Sequence, residues 1–572
     1  MKIVLPLLFL LTMNLHAQAN KTDAPDQIFV NGDIYTGAEE GFGGAPAKVY
    51  PRAQAMAVKN GRIVAVGTSD DIRKSKGPRT QVTDLGGHFA MPGFNDAHLH
   101  LANGGFEMLN VELSGVKSLE EMKSRIAAHV KAAGSGEWIL GRGWDDTKWP
   151  VQKMPTRQDL DAVTGNHPAL FIRTDGHMLV ANSAALRIAG ITKETQPPAG
   201  GQIDHDANGQ PTGGFRESAM TLVRNKVPAP TLVQRRRGAE LVLQQAAKYG
   251  LTSAQDNSQW EDFLTYVDLE NEGKLTLRIS EWLPFPQPMN ILEEHRVFHS
   301  PEDPMLHTGM LKAFMDGSLG SHTAAMLAPY TDEKSNSGLP QYEQAALDQM
   351  AAQRAAAGFQ MGFHAIGDRG VSMALQAFAA AERYVEEKNP NAPQLRQPGK
   401  FRFRVEHAQV VAAEDFARFR QLNVIASMQP NHLLTDMNWA IERIGSERAK
   451  HSYAWDEFLR NHVVLAFGTD YPVEPITPFR GLYAAVTRKN ESGTKEYVPE
   501  QKISVDQAIA AYTTGAAYAE FAESEKGRLA PGFLADFIVL DRDITKVPPA
   551  DILRTHVLRT VVSGKTVYEA AK

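Results

Sequence analysis

Alternating and continuous apolar stretches divide the chain into a β-rich beginning, a long middle and a β-rich end. From Asp26 to about Leu85 the pattern is β, and Ala55 to Gly67 predict a hairpin that turns at Asn60-Gly61, a dipeptide typical of tight β-turns. Near the other end, the run within Gly532 to Asp541 and a second hairpin at Val561 to Tyr568 repeat the pattern. Each unit is too small to be stable alone. We therefore expect the two ends to meet in one small sheet domain.

The middle of the chain alternates helical patterns with short apolar runs. Leu232 to Tyr249 and Ala345 to Ala357 predict helices. The apolar runs that predict strands are Leu251 to Ala254, Leu311 to Phe314, Gln360 to His364, Phe403 to His407, Val424 to Ser427 and Val464 to Phe467. This alternation is typical of a parallel α/β barrel. The stretch from about Glu107 to Ala229 carries Pro and Gly clusters and predicts a large insertion after the first barrel strand.

Composition limits the chemistry that the chain can perform. A length of 572 residues favours two or more structural units, and 43% hydrophobic with 22% charged residues is ordinary for a soluble protein. The net charge of -6 argues against nucleic acid as a partner. The chain has no cysteine, which excludes disulfides, thiolate zinc sites and cysteine nucleophiles. Any metal must therefore be held by His, Asp, Glu or a modified Lys.

The first residues have the features of a targeting segment. Lys2 is followed by a mostly apolar stretch, Ile3 to Leu15, and Ala17-Gln18-Ala19 offers a small-x-small cleavage site. The apolar stretch is shorter than the roughly 20 residues that span a bilayer, although an uncleaved anchor is an alternative. We predict a signal peptide over residues 1–19, cleavage after Ala19, a periplasmic or secreted protein and no stable membrane anchor after processing.

Two histidines follow a Pro-Gly turn in the stretch Met91 to His100. On a strand, residues i and i+2 point to the same face, so the imidazoles of His98 and His100 can reach one ion. Histidine is a common ligand of zinc and similar metals. Because His-x-His alone is a weak signal, the prediction of a metal site depends on further ligands elsewhere in the chain.

Further titratable residues end several of the later apolar runs, where the active site of an α/β barrel lies. Lys312 lies within an apolar strand, which is costly unless its charge is neutralised or modified. His364, His407 and Asp470 each end an apolar run. Singly, each has a plain alternative, such as a hydrogen-bonded histidine or a helix-capping aspartate. Their ordered recurrence after successive strands predicts a metal site.

The pattern resembles the metal-dependent amidohydrolase superfamily, specifically amidohydrolase family 3, whose branches include N-substituted formamide deformylases. Other matching segments are Gly141 to Asp145, Leu160 to Val163, Arg173 to His177, Asn182 to Leu186 and Gly317 to Ser321. The resemblance covers nearly the whole mature chain. It implies a (β/α)8 TIM barrel, a composite β-sandwich domain built from both termini and a large insertion after barrel strand 1. The expected divisions are residues 1–19, 20–90, 91–520 (with the insertion at about 107–229) and 521–572.

The resemblance also implies how the residues share the metals. His98 and His100 would bind one ion, and His364 and His407 the other. Lys312, carboxylated by carbon dioxide, would bridge the two, and Asp470 would bind the first ion and contact the bridging hydroxide. Two zinc ions are expected, with manganese or iron as alternatives. If Lys312 is unmodified, the site holds one ion, as in some relatives.

This set of residues predicts hydrolysis. Metals lower the pKa of bound water toward about 7 and polarise a carbonyl, and Asp470 can take a proton and return it to a leaving amine. We therefore expect an exported metal-dependent hydrolase that cleaves a linear or cyclic C–N amide-type bond of a small molecule. A deaminase or esterase on the same scaffold is the alternative, and so is a non-catalytic periplasmic binding or regulatory protein. Retention of all the ligand types speaks against the latter.

The insertion supplies the expected substrate contacts. Trp144, Trp149, Asp175 and His177 combine flat apolar surface with polar groups, as small-molecule pockets do, although the tryptophans fit a core equally well. Glu217 matches a family position. It is either a ligand, a group that orients one, or a surface carboxylate after a Gly-rich loop.

Two more positions bear on the substrate. His322 stands where relatives carry arginine in Gly-Ser-Leu-Gly-Ser-x-Thr, which removes a permanent charge and weakens any substrate assignment taken from them. Arg369 either compensates for that charge or pairs with Asp368. The exposed helices of barrels often pair, which allows a homodimer. Substrate identity is outside what the sequence specifies, because fold does not fix function.

Overall fold

The computed structural model describes residues 24–174, 176–396 and 401–571. The predicted signal peptide, residues 1–19, and Asp175 lie outside these ranges. The largest sheet consists of parallel strands that we number in chain order: β1 Phe94–Leu99, β2 Leu251–Asp256, β3 Arg278–Pro284, β4 Leu306–Phe314, β5 Met361–Ala365, β6 Arg404–His407, β7 Ile425–Met428 and β8 Leu465–Phe467.

These strands form a barrel in sequential order, each parallel to the next. Beyond the last strand, the backbone N–H of Asp470 donates to the carbonyl of His98 at 2.7 Å, which brings the end of β8 beside the end of β1. Gly468 permits this approach, since a Cβ there would lie 2.5 Å from the backbone nitrogen of His98. The predicted (β/α)8 barrel is confirmed.

One barrel strand, β3, is absent from the apolar runs recognised in the sequence. Its residues Arg278, Ser280 and Glu281 are polar, yet all three are buried. The Arg278 guanidinium points out of the barrel and forms a two-pronged ion pair with Asp536, at 2.6 and 3.0 Å. The polar pattern of β3 therefore reflects buried partners rather than exposure to water.

The two ends of the chain meet in one domain, as expected. Phe89–Pro92 pairs antiparallel with Phe537–Leu540. Their five-stranded sheet contains Asp33–Ile34, Phe89–Pro92, Phe537–Leu540, Val557–Val562 and Lys565–Glu569. A four-stranded sheet contains Gln27–Val30, Ala55–Lys59, Arg62–Gly67 and Gln81–Asp84, and Ala38–Glu39 pairs with Lys48–Val49. A shared core, including Phe29 and Phe537 in edge-to-face contact, lies between the two larger sheets. The numerical domain boundaries stay predictions.

The insertion between β1 and β2 contains its own sheet. Its strands are Val111–Glu112, Ile139–Trp144, Ala169–Arg173, Met178–Ala181, Gly201–His205 and Pro211–Glu217. Its helices are Leu119–Val130, Arg157–Thr164, Ser183–Ala189 and Thr221–Arg224, with 3-10 turns at Asp146–Lys148 and Ser218–Met220. Two separate apolar clusters fill it, so the insertion has a core of its own.

Helices surround the barrel and join the remaining strands. The predicted helices occur at Leu232–Lys248 and Gln344–Ala356, each within one residue of its expected bounds. The others outside the insertion are Ser69–Lys74, Leu101–Met108, Trp260–Asn271, Met289–Glu294, Asp368–Lys388, Pro393–Arg396, Asp415–Gln421, Pro430–Asp436, Ala440–Ala449, Trp455–Arg460, Pro478–Thr487, Val505–Ala510, Ala516–Ala519 and Pro549–Ile552, with a 3-10 turn at Pro499–Gln501 and a π turn at Ala511–Gly515. None of the helices in the described ranges is long and apolar enough to cross a membrane.

Candidate metal centre

His98 and His100 lie at the carboxyl end of β1, and their rings face the barrel axis. Each ring is fixed through Nδ1: that of His98 lies 2.8 Å from a Glu406 carboxylate oxygen, and that of His100 lies 3.0 Å from the backbone carbonyl of Asn257. Both contacts require Nδ1 to carry the proton, which leaves Nε2 with a lone pair. This tautomer is the one in which Nε2 can bind a metal.

Asp470 faces these two Nε2 atoms from the loop after β8. Its Oδ1 lies 3.2 Å from Nε2 of His100 and 3.5 Å from Nε2 of His98. The backbone of Asp470 has a positive φ of 58°, a conformation that costs energy for a residue with a Cβ and is concentrated at functional sites. The geometry gathers one carboxylate oxygen and two imidazole nitrogens around one point.

Lys312, His364 and His407 complete the cluster from β4, β5 and β6. The Lys312 ammonium lies 3.2 Å from Nε2 of His98. The ring centroid of His407 lies 4.9 Å from that of His98 and 4.5 Å from that of His364. The Nε2–H group of His364 donates to the Gly317 carbonyl at 3.0 Å, so Nδ1 is the atom of this ring that would be able to bind a metal. The structure therefore brings all the sequence-predicted ligands into one contiguous group.

A buried charge network lies behind His98. Glu406 is fully buried, and its carboxylate accepts hydrogen bonds from Arg404 Nε at 2.8 Å and Ser427 Oγ at 2.7 Å, in addition to the one from His98. Arg404 also donates to the backbone carbonyl of Ala97 at 2.7 Å. A carboxylate that accepts from a ligand histidine fixes the ring and raises its basicity.

Burial and neighbouring charge set the protonation of the cluster. Burial, aided by the charge of Lys312, lowers the pKa of His98 to about 4 and that of His364 to about 3. Burial likewise lowers the pKa of Lys312 to about 8. Burial opposes ionisation of Glu406, but Arg404 outweighs it and brings the pKa of this carboxyl to about 2. The imidazoles of His98 and His364 are therefore neutral at pH 7, as metal ligands must be.

His432 is a member of the cluster that the sequence prediction missed. It lies near the start of the helix Pro430–Asp436, and its Nε2 is 3.0 Å from Oδ2 of Asp470. Burial opposes protonation of His432, but Asp470 outweighs it and raises its pKa to about 9. Nitrogen or oxygen atoms of His98, His100 and Asp470 lie within 4.8 Å of one another, as do those of His407, His432 and Asp470. Asp470 thus joins two compact groups.

These residues fit divalent metal ions. Oδ1 of Asp470 and Nδ1 of His407 are buried, and neither completes a hydrogen bond within the described part of the chain. A buried polar atom without such a bond costs about 1–3 kcal/mol, which coordination to a cation would offset. The donors are imidazole and carboxylate, the ligands that zinc, manganese and iron accept.

The residues expected to contact substrate are spread over different parts of the molecule. Trp144 is fully buried in the core of the insertion, and its indole N–H donates to the Phe171 carbonyl at 3.1 Å. Trp144 therefore occupies a core position, the alternative that the sequence left open for it. Trp149 is buried in the same core and bonds the Val116 carbonyl at 2.9 Å. The expected role of Asp175 falls outside the described residues.

His177 and Glu217 are exposed and lie together, with Nδ1 and Oε2 3.1 Å apart. They line a cleft of about 620 Å³ in the insertion, together with Arg173 and Arg216. Glu217 has a positive φ of 49°, so its backbone is strained. In this structure Glu217 contacts His177 rather than the metal cluster.

His322 lies in the loop after β4 and contacts charged neighbours. Its Nε2 is 3.0 Å from Oδ2 of Asp332, and the Arg443 guanidinium contacts the same ring. The cation beside His322 is therefore Arg443 and not Arg369, which the sequence offered as one that compensates for the missing arginine. Arg369 is exposed at the start of the helix Asp368–Lys388, and its backbone N–H donates to Asp368.

The sequence carried a signal for one of the missed residues, His432, and none for the other, Glu406. His432 lies shortly after the end of β7, on the helix Pro430–Asp436, so a search that continued past the end of each apolar run, as for Asp470 after β8, would have found it. Glu406 precedes His407 on a strand, where neighbouring side chains ordinarily face opposite sides. The positive φ of 73° at His407 turns its ring back to the barrel interior, and both side chains then reach the centre.

Comparison with known proteins agrees with this arrangement. The model of the amidohydrolase family matches residues 81–568. Protein LONG AFTER FAR-RED 3 of Arabidopsis thaliana is 34% identical over 95% of this chain and 91% of its own length. N-substituted formamide deformylase of Arthrobacter pascens is 27% identical over 90% of this chain and 95% of its own. The crystal structure of an uncharacterized metal-dependent hydrolase from Pyrococcus furiosus is 30% identical, with a TM-score of 0.74 over 91% of this chain and all of that one.

A barrel whose strand ends carry this set of imidazoles and carboxylates defines a metal-dependent hydrolase. The chain belongs to the amidohydrolase family, since the family model covers most of its length. The resemblance inferred from the ligand order and the accompanying segments is thereby confirmed.

Proposed function

We propose that the protein is an exported hydrolase that cleaves a C–N amide-type bond of a small molecule, with Asp470 as general base and acid. The observation that carries this proposal is the position of Asp470, whose Oδ1 lies 3.2 Å from Nε2 of His100 while its Oδ2 lies 3.0 Å from Nε2 of His432. The similarity to an N-substituted formamide deformylase supports the choice of bond.

The proposed metal is zinc, with manganese and iron as alternatives. The residues that would hold one or two ions are His98, His100, Lys312, His364, His407 and Asp470. When bound, such ions polarise a carbonyl and lower the pKa of water toward about 7. Carboxylation of Lys312 would need its neutral amine, and burial, which lowers its pKa to about 8, makes that form accessible near neutral pH. In that step Nζ bonds the carbon of CO2 and releases one proton.

The proton transfers follow from the position of Asp470. Its Oδ1 would accept a proton from the attacking water as the carbon–oxygen bond forms. The same oxygen would return that proton to the nitrogen as the C–N bond breaks, so that an acid and an amine are released. His432 donates to Oδ2 and keeps the carboxylate oriented. General acid–base catalysis of this kind contributes about 10²–10⁴-fold to rate.

A cleft next to His100 offers room for the substrate. Its volume is about 430 Å³, and it is lined by His100, Asn103, Phe106, Glu107, Pro472 and Val473. One aromatic ring, one amide and one carboxyl beside the cluster are the mixture that small-molecule pockets use.

A substrate panel tests the proposed bond class. Purified protein with zinc or manganese added would be assayed on N-formyl, N-acyl and dipeptide-like amides, on matching esters and on amino-heterocycles. We expect turnover of at least one amide that Asp470→Asn reduces at least 100-fold. Turnover of only esters or only amino-heterocycles would contradict the C–N amide assignment.

Export is tested separately. Expressed from its full-length sequence in a Gram-negative host, the protein should appear in the periplasm with Asn20 as its first residue, as cleavage after Ala19 requires. A cytoplasmic protein that retains Met1 would contradict this part of the proposal.

A further inference from the structure

Glu107 places a carboxylate in the cleft beside the metal centre. It belongs to the helix Leu101–Met108, which begins directly after His100, and its Cα lies about 9 Å further along the helix axis than that of Leu101. His100 and Glu107 line the same cleft of about 430 Å³. A molecule whose reacting bond lies at the metal centre can therefore extend along this helix to Glu107.

The carboxylate of Glu107 is accessible and only weakly paired. Its side chain is 42% exposed, and it forms an ion pair with Arg142 of the insertion, whose side chain is 55% exposed. The two charged atoms lie 3.5 Å apart. Ion pairs that are this exposed contribute little to stability, so a cation on a ligand can displace Arg142 or bind beside it.

The charges around Glu107 leave an excess of negative charge. Burial raises the pKa of Glu107, Arg142 lowers it, and the nearby Glu112 raises it. Two carboxylates thus share one guanidinium. A further cation beside the cleft, Arg235, is already paired with the buried Asp262. This excess favours a positively charged ligand group and disfavours a negatively charged one.

Apolar side chains line most of the remaining cleft. Phe106 lies beside Glu107 on the helix, and Pro472 and Val473 face it from the loop that carries Asp470. Val473 is 66% exposed. Exposed apolar surface of this kind beside a reaction centre suits the methylene groups of a ligand. The cleft therefore combines an apolar middle with a carboxylate at its far end.

We propose, on the basis of the proposed hydrolysis, that the substrate carries an aliphatic amine whose ammonium group binds Glu107 while its methylene chain lies on Phe106 and Val473. The chain is needed because the ammonium group and the metal ions repel each other. Five methylene groups extend about 6 Å, and the Glu107 side chain, which is inclined toward the start of its helix, covers the remaining distance.

Two series of probes test this specificity on the zinc-loaded protein by calorimetry. Hydroxamates carry the chain on the acyl side and N-hydroxyformamides carry it on the nitrogen side, and neither series contains the amide bond to be cleaved. In each series the chain of five methylene groups ends in an ammonium, a methyl or a carboxylate group. In at least one series the ammonium probe should bind at least five-fold more tightly than the methyl probe and at least twenty-fold more tightly than the carboxylate probe.

A pair of variants assigns this preference to Glu107. Glu107→Gln should bring the ammonium and methyl probes within two-fold of each other. Glu112→Gln is the matched control, because it removes an equal charge nearby from a residue that does not line the cleft; it should retain at least a three-fold preference. In the native protein, raising the salt from about 20 to 500 mM should at least halve the preference, because salt screens exposed charges.

Three results would overturn the inference: no saturable binding of either ammonium probe up to about 10 mM, equal binding of the ammonium and methyl probes in both series, or a preference that Glu107→Gln retains. If Glu107→Gln fails to fold, the comparison of probes and its salt dependence in the native protein decide the matter. Hydrolysis of amides without the ammonium preference would contradict this inference alone, whereas the preference without any hydrolysis would contradict the proposed function alone.

Discussion

Replacement of Glu406 by Gln should weaken metal binding by about 10- to 100-fold. Glutamine keeps the shape of the side chain but removes the charge that accepts from His98 Nδ1 at 2.8 Å. If the amide NH2 faces His98, the histidine must move its proton to Nε2, the atom needed for the metal. If the amide oxygen faces His98, the NH2 group faces the Arg404 guanidinium, which is also a donor.

The magnitude follows from the burial of this bond. His98 is 1% exposed and Glu406 is fully buried, so water cannot replace the lost partner. A hydrogen bond to a charged group contributes about 1.5–3 kcal/mol. Loss of a partner behind a metal ligand typically costs 10–100-fold in affinity, or about 1.4–2.7 kcal/mol. The two estimates agree.

The assay is competition for zinc between the protein and a chelator of known affinity. Ser427→Ala is the matched control, because it removes one hydrogen bond to Glu406 at 2.7 Å but keeps the charge; its effect should stay below about three-fold. Circular dichroism of the metal-free proteins verifies that each variant is folded. An affinity of Glu406→Gln within three-fold of the native value would refute the reasoning about the His98 tautomer.

Three further predictions concern the proton transfers, the domain contact and pH. His432→Gln keeps a hydrogen-bond donor near Asp470 but cannot be protonated, so it should reduce kcat more than KM and remove one limb from the plot of kcat against pH. An unchanged plot would exclude a role for the protonation of His432 in the reaction. Arg278→Ala leaves the buried Asp536 carboxylate without its ion pair and should lower the free energy of unfolding, measured by urea titration, by about 3–5 kcal/mol. The double change Arg278→Met with Asp536→Leu should recover most of that stability, and a double variant as unstable as Arg278→Ala would contradict the role of the unpaired charge. Burial lowers the pKa of His307 to about 4. Between pH 6.5 and 4 the unfolded state therefore binds a proton that the folded state does not, and the free energy of unfolding falls by roughly 3 kcal/mol as the pH falls. His307→Phe should reduce this pH dependence, measured by urea unfolding at several pH values, and an unchanged dependence would contradict the buried neutral imidazole.

The barrel and the ligands at its strand ends could be predicted because their pattern is local. The apolar runs are short and recur along the chain, and several of them lead into a titratable residue, so the order of elements and the positions of His364, His407 and Asp470 could be predicted from the sequence. The composite domain could be predicted for a similar reason, since two small β units at opposite ends each need a partner.

The remaining features depend on tertiary contacts that a linear pattern does not display. β3 escaped notice because Arg278 and Glu281 look like surface residues until Asp536 and the backbone of Ser258 appear beside them. Trp144 fits a pocket and a core equally well in sequence, and its burial and its bond to the Phe171 carbonyl assign it to the core. The side chain of Glu406 reaches the metal centre together with that of His407 only because the backbone turns at His407, and no hydrophobic periodicity in the sequence indicates such a turn.

Metal analysis of the purified protein tests the central claim most directly. Protein isolated without chelator should contain between one and two divalent ions per chain, and removal of these ions should abolish hydrolysis until zinc or manganese is restored. A content below about 0.2 ions per chain, together with activity that a chelator does not affect, would contradict the assignment of the residues around His98 and Asp470 as a metal centre.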